Sequence, residues 1–391
     1  MRQLLPAISR NPFWARKVGE GVGFEKIPFT TKQDLIDDQE AHPPYGTNLT
    51  HPRDRYVRLH QTSGTKGRPL RWLDDRESWD WVLECWRQIY GIVGLKSEDR
   101  LFFAFSYGPF LGFWAAFDGA QRLGRFCLAS GGMTTIARLR MILENAITVV
   151  CCTPTYALRM AEVAEAEKLD LAQSPVRMLI VAGEPGASIP STRARIEAAW
   201  GARLFDHYGM TEIGSLGIEC PEHPGGFHLL ETECIAEVID PASGGIVPPG
   251  VEGELVLTNL GRVGSPLLRY RTGDRVVADP KPCPCGRPFI RLRGGILGRA
   301  DDMLIVRGTK VYPSALEAVV RRFSEVDEFR IVLAGSELKL ELELRAGAAD
   351  PSTRLVDAVR SELLFRPEVA IVAVGALPRA EMKSQRVVRV P

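Results

Sequence analysis

Three segments of this sequence carry residue types that can hold a nucleotide. Thr62-Ser63-Gly64-Thr65-Lys66-Gly67-Arg68-Pro69 combines hydroxyls, an ammonium and two glycines. Glycines let backbone N–H groups approach an anion closely, and the side chains add further donors. The spacing is not that of the G-x-x-x-x-G-K-[ST] loop, and a polar hairpin turn is the alternative. Asp206-His207-Tyr208-Gly209-Met210-Thr211-Glu212 follows a predicted strand. There an aromatic ring can stack on a base, Thr211 can bond a phosphate, and Glu212 can hold Mg²⁺ through its oxygens. A surface loop with a buried tyrosine is the bland alternative. In Tyr270-Arg271-Thr272-Gly273-Asp274 the carboxylate is suited to accept two hydrogen bonds from a ribose diol, although such a pentapeptide is more often a turn.

The thiols form a separate group. Cys283-Pro284-Cys285-Gly286 is a tight pair on a Gly/Pro knuckle, and Cys220-Pro221-Glu222-His223 offers a thiolate and an imidazole at C-x-x-H spacing. Cys220, His223, Cys283 and Cys285 together suit tetrahedral Zn²⁺, structural because protein would fill all four positions. His228 is a competing ligand and Cys234 a weaker one, and four reduced side chains are the alternative. Cys85, Cys127, Cys151 and Cys152 sit in apolar surroundings and read as small core residues.

These residues need a large framework. The chain has 391 residues, 45% hydrophobic and 25% charged, enough for two or three domains with real cores. Lys plus Arg number 49 and Asp plus Glu 48, a net charge of +1, which argues against a polyanion-binding surface built on bulk charge. The Cys/His knuckle lacks a flanking basic stripe, so nucleic acid is not an expected partner. The uncharged run at residues 101–117 is broken by Gly108, Pro109 and Gly112, too short for a membrane span. The start of the sequence has no signal-peptide core, and eight cysteines are too few for a disulfide-framed chain. A reduced cytoplasm is the expected compartment.

Residues 1–60 read as a short helical preamble, with Thr30 or Thr31 capping a helix. From 60 to 240 apolar runs alternate with helical segments, the mark of a mainly parallel α/β sheet; residues 177–182 and 202–206 are strands and 191–200 a helix. Residues 232–295 read as a smaller β subdomain. The last ninety read as a strand at 303–307, a helix through Leu316, Val319, Val320 and Phe323, strands at 329–333 and 338–344, a helix through Leu355, Val359 and Leu363, and a strand at 369–374. That order, β-α-β-β-α-β, is ferredoxin-like.

In this order the segments resemble the phenylacetate–CoA ligase-like branch of the adenylate-forming superfamily, which includes acyl-CoA synthetases and adenylation domains. Pro28-Phe29-Thr30-Thr31-Lys32-Gln33-Asp34-Leu35, the run from Phe105 through Tyr107-Gly108-Pro109-Phe110 to Phe113-Trp114, Thr153-Pro154-Thr155-Tyr156-Ala157 and Ala182-Gly183-Glu184-Pro185 are also similar to that branch. So are Gly298-Arg299-Ala300-Asp301-Asp302-Met303 and the tail Arg379-Ala380-Glu381-Met382-Lys383-Ser384-Gln385-Arg386. The similarity runs from about residue 25 to the end. It implies an α/β fold with a large N-terminal adenylate-forming domain, residues 1–300, and a small mobile ferredoxin-like α+β C-terminal domain, residues 301–391.

By the same resemblance, Thr62, Ser63, Gly64, Thr65, Lys66 and Gly67 form the phosphate loop. Glu184 and Pro185 line the adenine side with Asp206, His207 and Tyr208. Thr211 and Glu212 match the α-phosphate and Mg²⁺ positions, Asp274 the ribose carboxylate, and Arg299 its neighbouring contact. Asp301 matches the hinge and Lys383 the catalytic lysine. Met382 replaces the usual Gly before that lysine, and Lys310 stands where Asn is common.

The implied reaction uses ATP and Mg²⁺ to turn a small-molecule carboxylic acid into an acyl-adenylate, then forms a thioester with coenzyme A. A carrier-protein phosphopantetheine or an amine is the alternative acceptor, and a non-catalytic nucleotide-binding protein is the alternative of another class. A homodimer is compatible with the resemblance. Tyr107, Gly108, Phe110 and Phe113, with Ala182, Gly183, Gly209 and Met210, are the expected acid pocket. Its apolar wall suits an aromatic acid, and ordinary core is the competing reading. Residues 130–135 are its expected floor.

Overall fold

The computed structural model describes residues 4–18, 22–62, 69–299, 302–306, 309–335, 337–379 and 386–390. Its centre is an eight-stranded sheet. In spatial order the strands are Arg291–Arg293, Gly226–Leu229, Gly214–Glu219, Arg203–Met210, Met178–Ala182, Val149–Cys152, Arg100–Phe103 and Phe126–Ala129. The last five are parallel. Helices cover both faces, so a central strand such as Val149–Cys152 is buried at every residue and reads as an unbroken apolar run. One core lies on the side of Trp14, Trp81, Trp86 and Tyr90. The other holds Tyr156, Met160 and Trp200.

Two helices beside the site start where the sequence supplies caps. Thr31 and Asp34 form a reciprocal capping box at the head of Lys32–Ala41. Thr153 caps Pro154–Ala166, with Pro154 in the first turn, where its missing N–H costs nothing. Among the described residues no helix is long and apolar enough to cross a membrane.

A four-stranded antiparallel sheet, in the order Cys234–Ile239, Glu252–Asn259, Tyr270–Val277 and Gly298–Arg299, is the β-rich region expected for 232–295. The hairpin of Tyr56–Gln61 and Arg71–Asp75 stands by itself. Thr62 N donates to the Leu70 carbonyl at 3.0 Å, and Leu70 N donates to Thr62 Oγ1 at 3.0 Å, closing the hairpin's neck. Residues 63–68, between them, lie outside the described residues.

The C-terminal residues have their own core, from Leu304 to Phe365. The α+β reading fits, but one strand is exchanged. The segment expected at 303–307 does not join the main sheet; Leu304–Val306 pairs with Thr309–Val311 in a hairpin. The four-stranded sheet runs Glu368–Val372, Glu337–Leu344, Val326–Ala334, Val387–Val390, so the final strand takes that place. Pairing across a very short loop closes at the lowest entropy cost, and Pro313 then starts a helix rather than a longer strand. Upstream, the strand expected at 202–206 extends to Met210 because Gly214–Glu219 pairs back on it. Residues 206–210 are therefore strand, and only Thr211 and Glu212 lie in the turn beyond.

Candidate active site

The carboxyl ends of the parallel strands converge on one edge, where ligands bind in open α/β sheets. Ala182 ends one strand and leads into Gly183, at φ +96°, then Glu184 and Pro185. Glu184 accepts the Thr155 N–H at 2.9 Å, which joins two of the motif segments. Met210 ends the next strand, and Thr211 and Glu212 follow. Across the gap stands Tyr270–Val277 of the second sheet, with Asp274 opposite Arg299 in register.

The polar groups form two short chains. Tyr208 Oη donates to Asp274 Oδ2 at 2.6 Å, and Arg299 Nη1 lies 3.6 Å from Asp274 Oδ1. Burial, and then the Asp274 charge, push the Tyr208 hydroxyl well above its ordinary range, so it keeps its proton and donates. Its ring stacks on Phe227 at 5.3 Å and 9°. In the second chain Glu212, only 1% exposed, takes the Tyr270 hydroxyl at 3.4 Å and the Lys32 ammonium at 3.4 Å. A buried carboxylate facing a surface cation has the charge and oxygen donors that a divalent ion needs. Lys32 and Tyr270 stand inside quoted motifs but had no role assigned. Periodicity gives no sign of contacts that join residues 58 and 180 positions apart.

Side chains alternate along this strand, so His207 faces away from the side that Asp206 and Tyr208 share. His207 turns inward against Trp86, ring centroids 4.6 Å apart, and Nδ1–H donates to the Gly217 carbonyl at 2.7 Å. Burial lowers its pKa to about 4. The Asp206 N–H donates to Glu219, which also binds Arg193. Burial and the Glu219 charge push the Asp206 carboxyl up to about 8, with Arg193 opposing.

The expected acid-pocket aromatics pack largely on one another. Phe105 stacks on Phe113 at 4.2 Å, Phe110 meets Phe113 edge-on at 5.8 Å, and Tyr107 lies against Trp114 at 4.9 Å. Trp114 Nε1 donates to Gly108 O, which fixes the loop on the following helix. Tyr107, Gly108, Phe110 and Phe113 remain partly exposed, as do Ala182 and Met210, while Gly183 and Gly209 are exposed. Ser63, Gly64, Thr65, Lys66 and Gly67, with Asp301 and Lys383, lie outside the described residues.

A second cluster sits at the sheet's far edge. Donor atoms of Cys220, His228, Cys283 and Cys285 lie within 4.8 Å of one another. The imidazole is His228, not the expected His223. Strand Gly226–Leu229 points His228 inward, with Nε2 3.3 Å from Cys285 Sγ, while the turn after Cys220 leaves His223 exposed, Nδ1 3.8 Å from Cys283 Sγ. His228 Nδ1 faces the Phe289 carbonyl at 3.1 Å, which sets the tautomer and leaves the Nε2 lone pair facing the sulfurs. The Cys220–Cys283 sulfur separation is 3.7 Å. A tetrahedron with Zn–S bonds of about 2.3 Å has edges of about 3.8 Å.

The lowered His207 pKa makes a pH prediction. A buried neutral imidazole must take up a proton as pH falls, so its contribution is present above the unfolded pKa of about 6.5 and lost toward about 4. That shift corresponds to roughly 3 kcal/mol. The thermal midpoint of the wild type is expected to drop more between pH 6.5 and 4.5 than that of His207→Gln, whose amide can still donate to Gly217. Parallel curves would show that His207 does not carry this term.

Comparison with known proteins gives the family. Residues 26–261 match the AMP-binding enzyme family, and residues 308–389 match the AMP-binding enzyme C-terminal domain. The chain is 34% identical over 359 residues to a phenylacetate-coenzyme A ligase of Thermus thermophilus, covering 88% of this chain and 79% of that one. It is 30% identical over 384 residues to that of Escherichia coli, covering 93% and 84%. A solved 2-hydroxyisobutyryl-CoA ligase, in its postadenylation state with 2-HIB-AMP, superposes with a TM-score of 0.94 at 30% identity, covering 100% of this chain and 87% of that one. The same ligase in its thioesterification state, with 2-HIB-AMP and CoA, gives 0.74 at 31% identity over 99% and 87%. The arrangement described here is therefore similar to the postadenylation one. The chain belongs to the AMP-binding enzyme family, in its phenylacetate–CoA ligase-like branch.

Proposed function

We propose that the protein activates a carboxylic acid with ATP to an acyl-adenylate and passes the acyl group to coenzyme A. The observation that carries this reading is the pairing of Tyr208, Asp274 and Arg299 beside the Thr211–Glu212 turn at the carboxyl edge of the sheet. The similarity to phenylacetate-coenzyme A ligases over most of the chain supports coenzyme A as acceptor and an aromatic acid as substrate. The apolar wall of Tyr107, Phe110 and Phe113 fits that acid.

A carboxylate is a poor electrophile. Attack of its oxygen on the α-phosphorus of ATP forms the mixed anhydride and releases pyrophosphate. The protein's task is to hold the reactants in line and to neutralise charge on the phosphate oxygens. Asp274 accepts the ribose hydroxyls, Glu184 and Pro185 flank the base, and Thr211 donates to the α-phosphate. The Glu212 carboxylate would hold Mg²⁺, which supplies positive charge to the phosphate oxygens when bound. Ser63 to Gly67 cradle the leaving phosphates.

We assign residues 1–300 and 301–391 to two units that turn about Asp301, with Lys383 serving the first half-reaction. Arg386, near the start of the last strand, supports this. Its guanidinium reaches Glu317 and Glu328 in the C-terminal unit and Thr155 Oγ1, at 3.4 Å, on the edge of the site. Lys383 is three residues away, at most about 11 Å of extended chain. Thiol attack on the adenylate carbonyl then expels AMP. Eight cysteines outside any disulfide fit a reduced cytoplasm.

The test is ATP–pyrophosphate exchange across aryl and alkyl acids. Carboxylate-dependent exchange, with AMP formed on adding coenzyme A, is expected for an aryl acid. A coenzyme A-independent product with an amine, or acyl transfer only to a carrier protein, would move the acceptor; no exchange with any acid would end the reading. Lys383→Ala is expected to lose exchange by orders of magnitude yet still convert a supplied acyl-adenylate and coenzyme A to thioester. Equal loss in both steps would remove the two-state role of the tail.

Three thiols and an imidazole with a fixed tautomer fit Zn²⁺, so we assign the Cys220, His228, Cys283, Cys285 cluster to a structural zinc ion. Metal analysis should find about one zinc per chain. Cys283→Ser and His228→Ala should lower the thermal midpoint and leave the acid KM nearly unchanged, whereas His223→Ala should change neither. Metal-free protein of unaltered stability would refute the assignment.

A further inference from the structure

A fully buried ion pair stands behind the Thr211–Glu212 turn. The side chains of Arg262 and Asp74 are both 0% exposed. Arg262 Nε donates to Asp74 Oδ1 at 2.6 Å and Nη2 donates to Oδ2 at 2.7 Å. The third nitrogen, Nη1, donates to the Thr211 carbonyl at 2.6 Å and the Glu212 carbonyl at 3.2 Å. The guanidinium also lies over the Trp72 ring at 5.2 Å. Gly261 permits the insertion, since a Cβ there would come within 2.1 Å of the Trp81 ring.

The other end of the pair is tied to the phosphate-loop hairpin. Asp74 belongs to strand Arg71–Asp75, and His60 on the partner strand places Nδ1 3.5 Å from Asp74 Oδ2 while stacking on Trp79. From these strands the chain runs through the closed neck at Thr62 and Leu70 into residues 63–68. Two charges withdrawn from water are costly, and well-packed apolar residues would fill the same space at lower cost. An apolar pair cannot aim two backbone carbonyls, whereas a planar fork of five N–H donors does so in one fixed geometry.

We propose that Asp74 and Arg262 form a rigid strut that fixes the hairpin of Tyr56–Gln61 and Arg71–Asp75 against the Thr211–Glu212 turn, and are positioning residues for adenylate formation. The inference rests on the adenylate-forming reading above. On that reading the residues expected to hold the phosphates follow the first of these strands in sequence and Thr211 meets the α-phosphate, so the hairpin and the turn serve the same triphosphate in the first half-reaction. In the second, pyrophosphate has left, and the reaction no longer depends on how the hairpin is held against the turn. A misplacement of the order of 1 Å between reacting groups can cost about a hundredfold in rate. Lysine at 262 keeps the charge opposite Asp74 but is a single point donor on a flexible stem, so it cannot satisfy two carboxylate oxygens and two carbonyls together.

The experiment compares wild type, Arg262→Lys and Asp74→Asn in ATP–pyrophosphate exchange and, separately, in thioester formation from a supplied acyl-adenylate and coenzyme A. Folding is read by the thermal midpoint and the metal content. The expected result is a fall of about tenfold or more in exchange kcat. The acid KM should stay within about twofold and thioester formation within about threefold of wild type, so the loss tracks the first step alone. A folded Arg262→Lys with wild-type exchange overturns the strut, and so does equal loss in both half-reactions. If Arg262→Lys does not fold, Asp74→Asn decides by the same criteria, and failure of both to fold makes the pair purely structural and overturns it. Wild type without exchange for any acid fails the adenylation reading, and the strut with it; an active wild type with unaltered variants fails the strut alone.

Discussion

The hydrogen bond from Tyr208 to Asp274 is the contact on which the site depends. It is buried, 2.6 Å long, and joins the last parallel strand of the large sheet to the four-stranded sheet. A hydrogen bond to an ionised partner contributes about 1.5–3 kcal/mol net, and leaving Asp274, 3% exposed, unpaired would cost a comparable or larger amount. The tyrosine ring is held flat on Phe227, which Gly217 permits: a Cβ there would lie 2.9 Å from the Phe227 ring and 3.0 Å from Tyr208 Cβ. Everything that faces a nucleotide on this edge is set by how these two sheets meet.

The contacts between the C-terminal residues and the rest are of another kind. They are charged and partly opposed. Burial and then the Arg321 and Arg345 charges bring Arg195 down to about 10, and burial and the Asp327 charge raise the Glu162 carboxyl. Against these repulsions stand Arg386, which reaches Thr155 Oγ1 from its partners Glu317 and Glu328, and the attraction between the Glu162 and Arg379 charges. A junction of this composition resembles a transient protein interface rather than a core.

The sequence was most legible where the controlling physics is local. Thr31 is one of the two caps read for the helix that follows it, 177–182 reads as a buried strand, and the alternation of Leu with Lys and Glu over 338–344 reads as a half-buried one. The motif order placed Tyr208, Glu212 and Asp274 on one edge of the fold. Contacts set by distant chain were not legible. The choice between His223 and His228 turns on the register of Gly226–Leu229 against Arg291–Arg293, and residues 303–307 looked like a sheet strand until 387–390 took that place. Asp74 and Arg262 lie 188 positions apart, and neither belongs to a patterned segment.

The edge strand Arg291–Arg293 has a consequence for how the chain assembles. It pairs with Gly226–Leu229, yet the whole of Cys234–Val277 is threaded between them in sequence. During synthesis the large sheet therefore stays one strand short while some sixty further residues are made, with the backbone of 226–229 open to pairing with other chains. The interval ends at the same seam where Cys220 and His228 meet Cys283 and Cys285. With the zinc assigned above, ligands contributed from both sides of a late-closing gap would act as a clasp, the thiols delivered last closing the edge, and metal supply during translation would then govern yield and aggregation more than turnover of the finished enzyme.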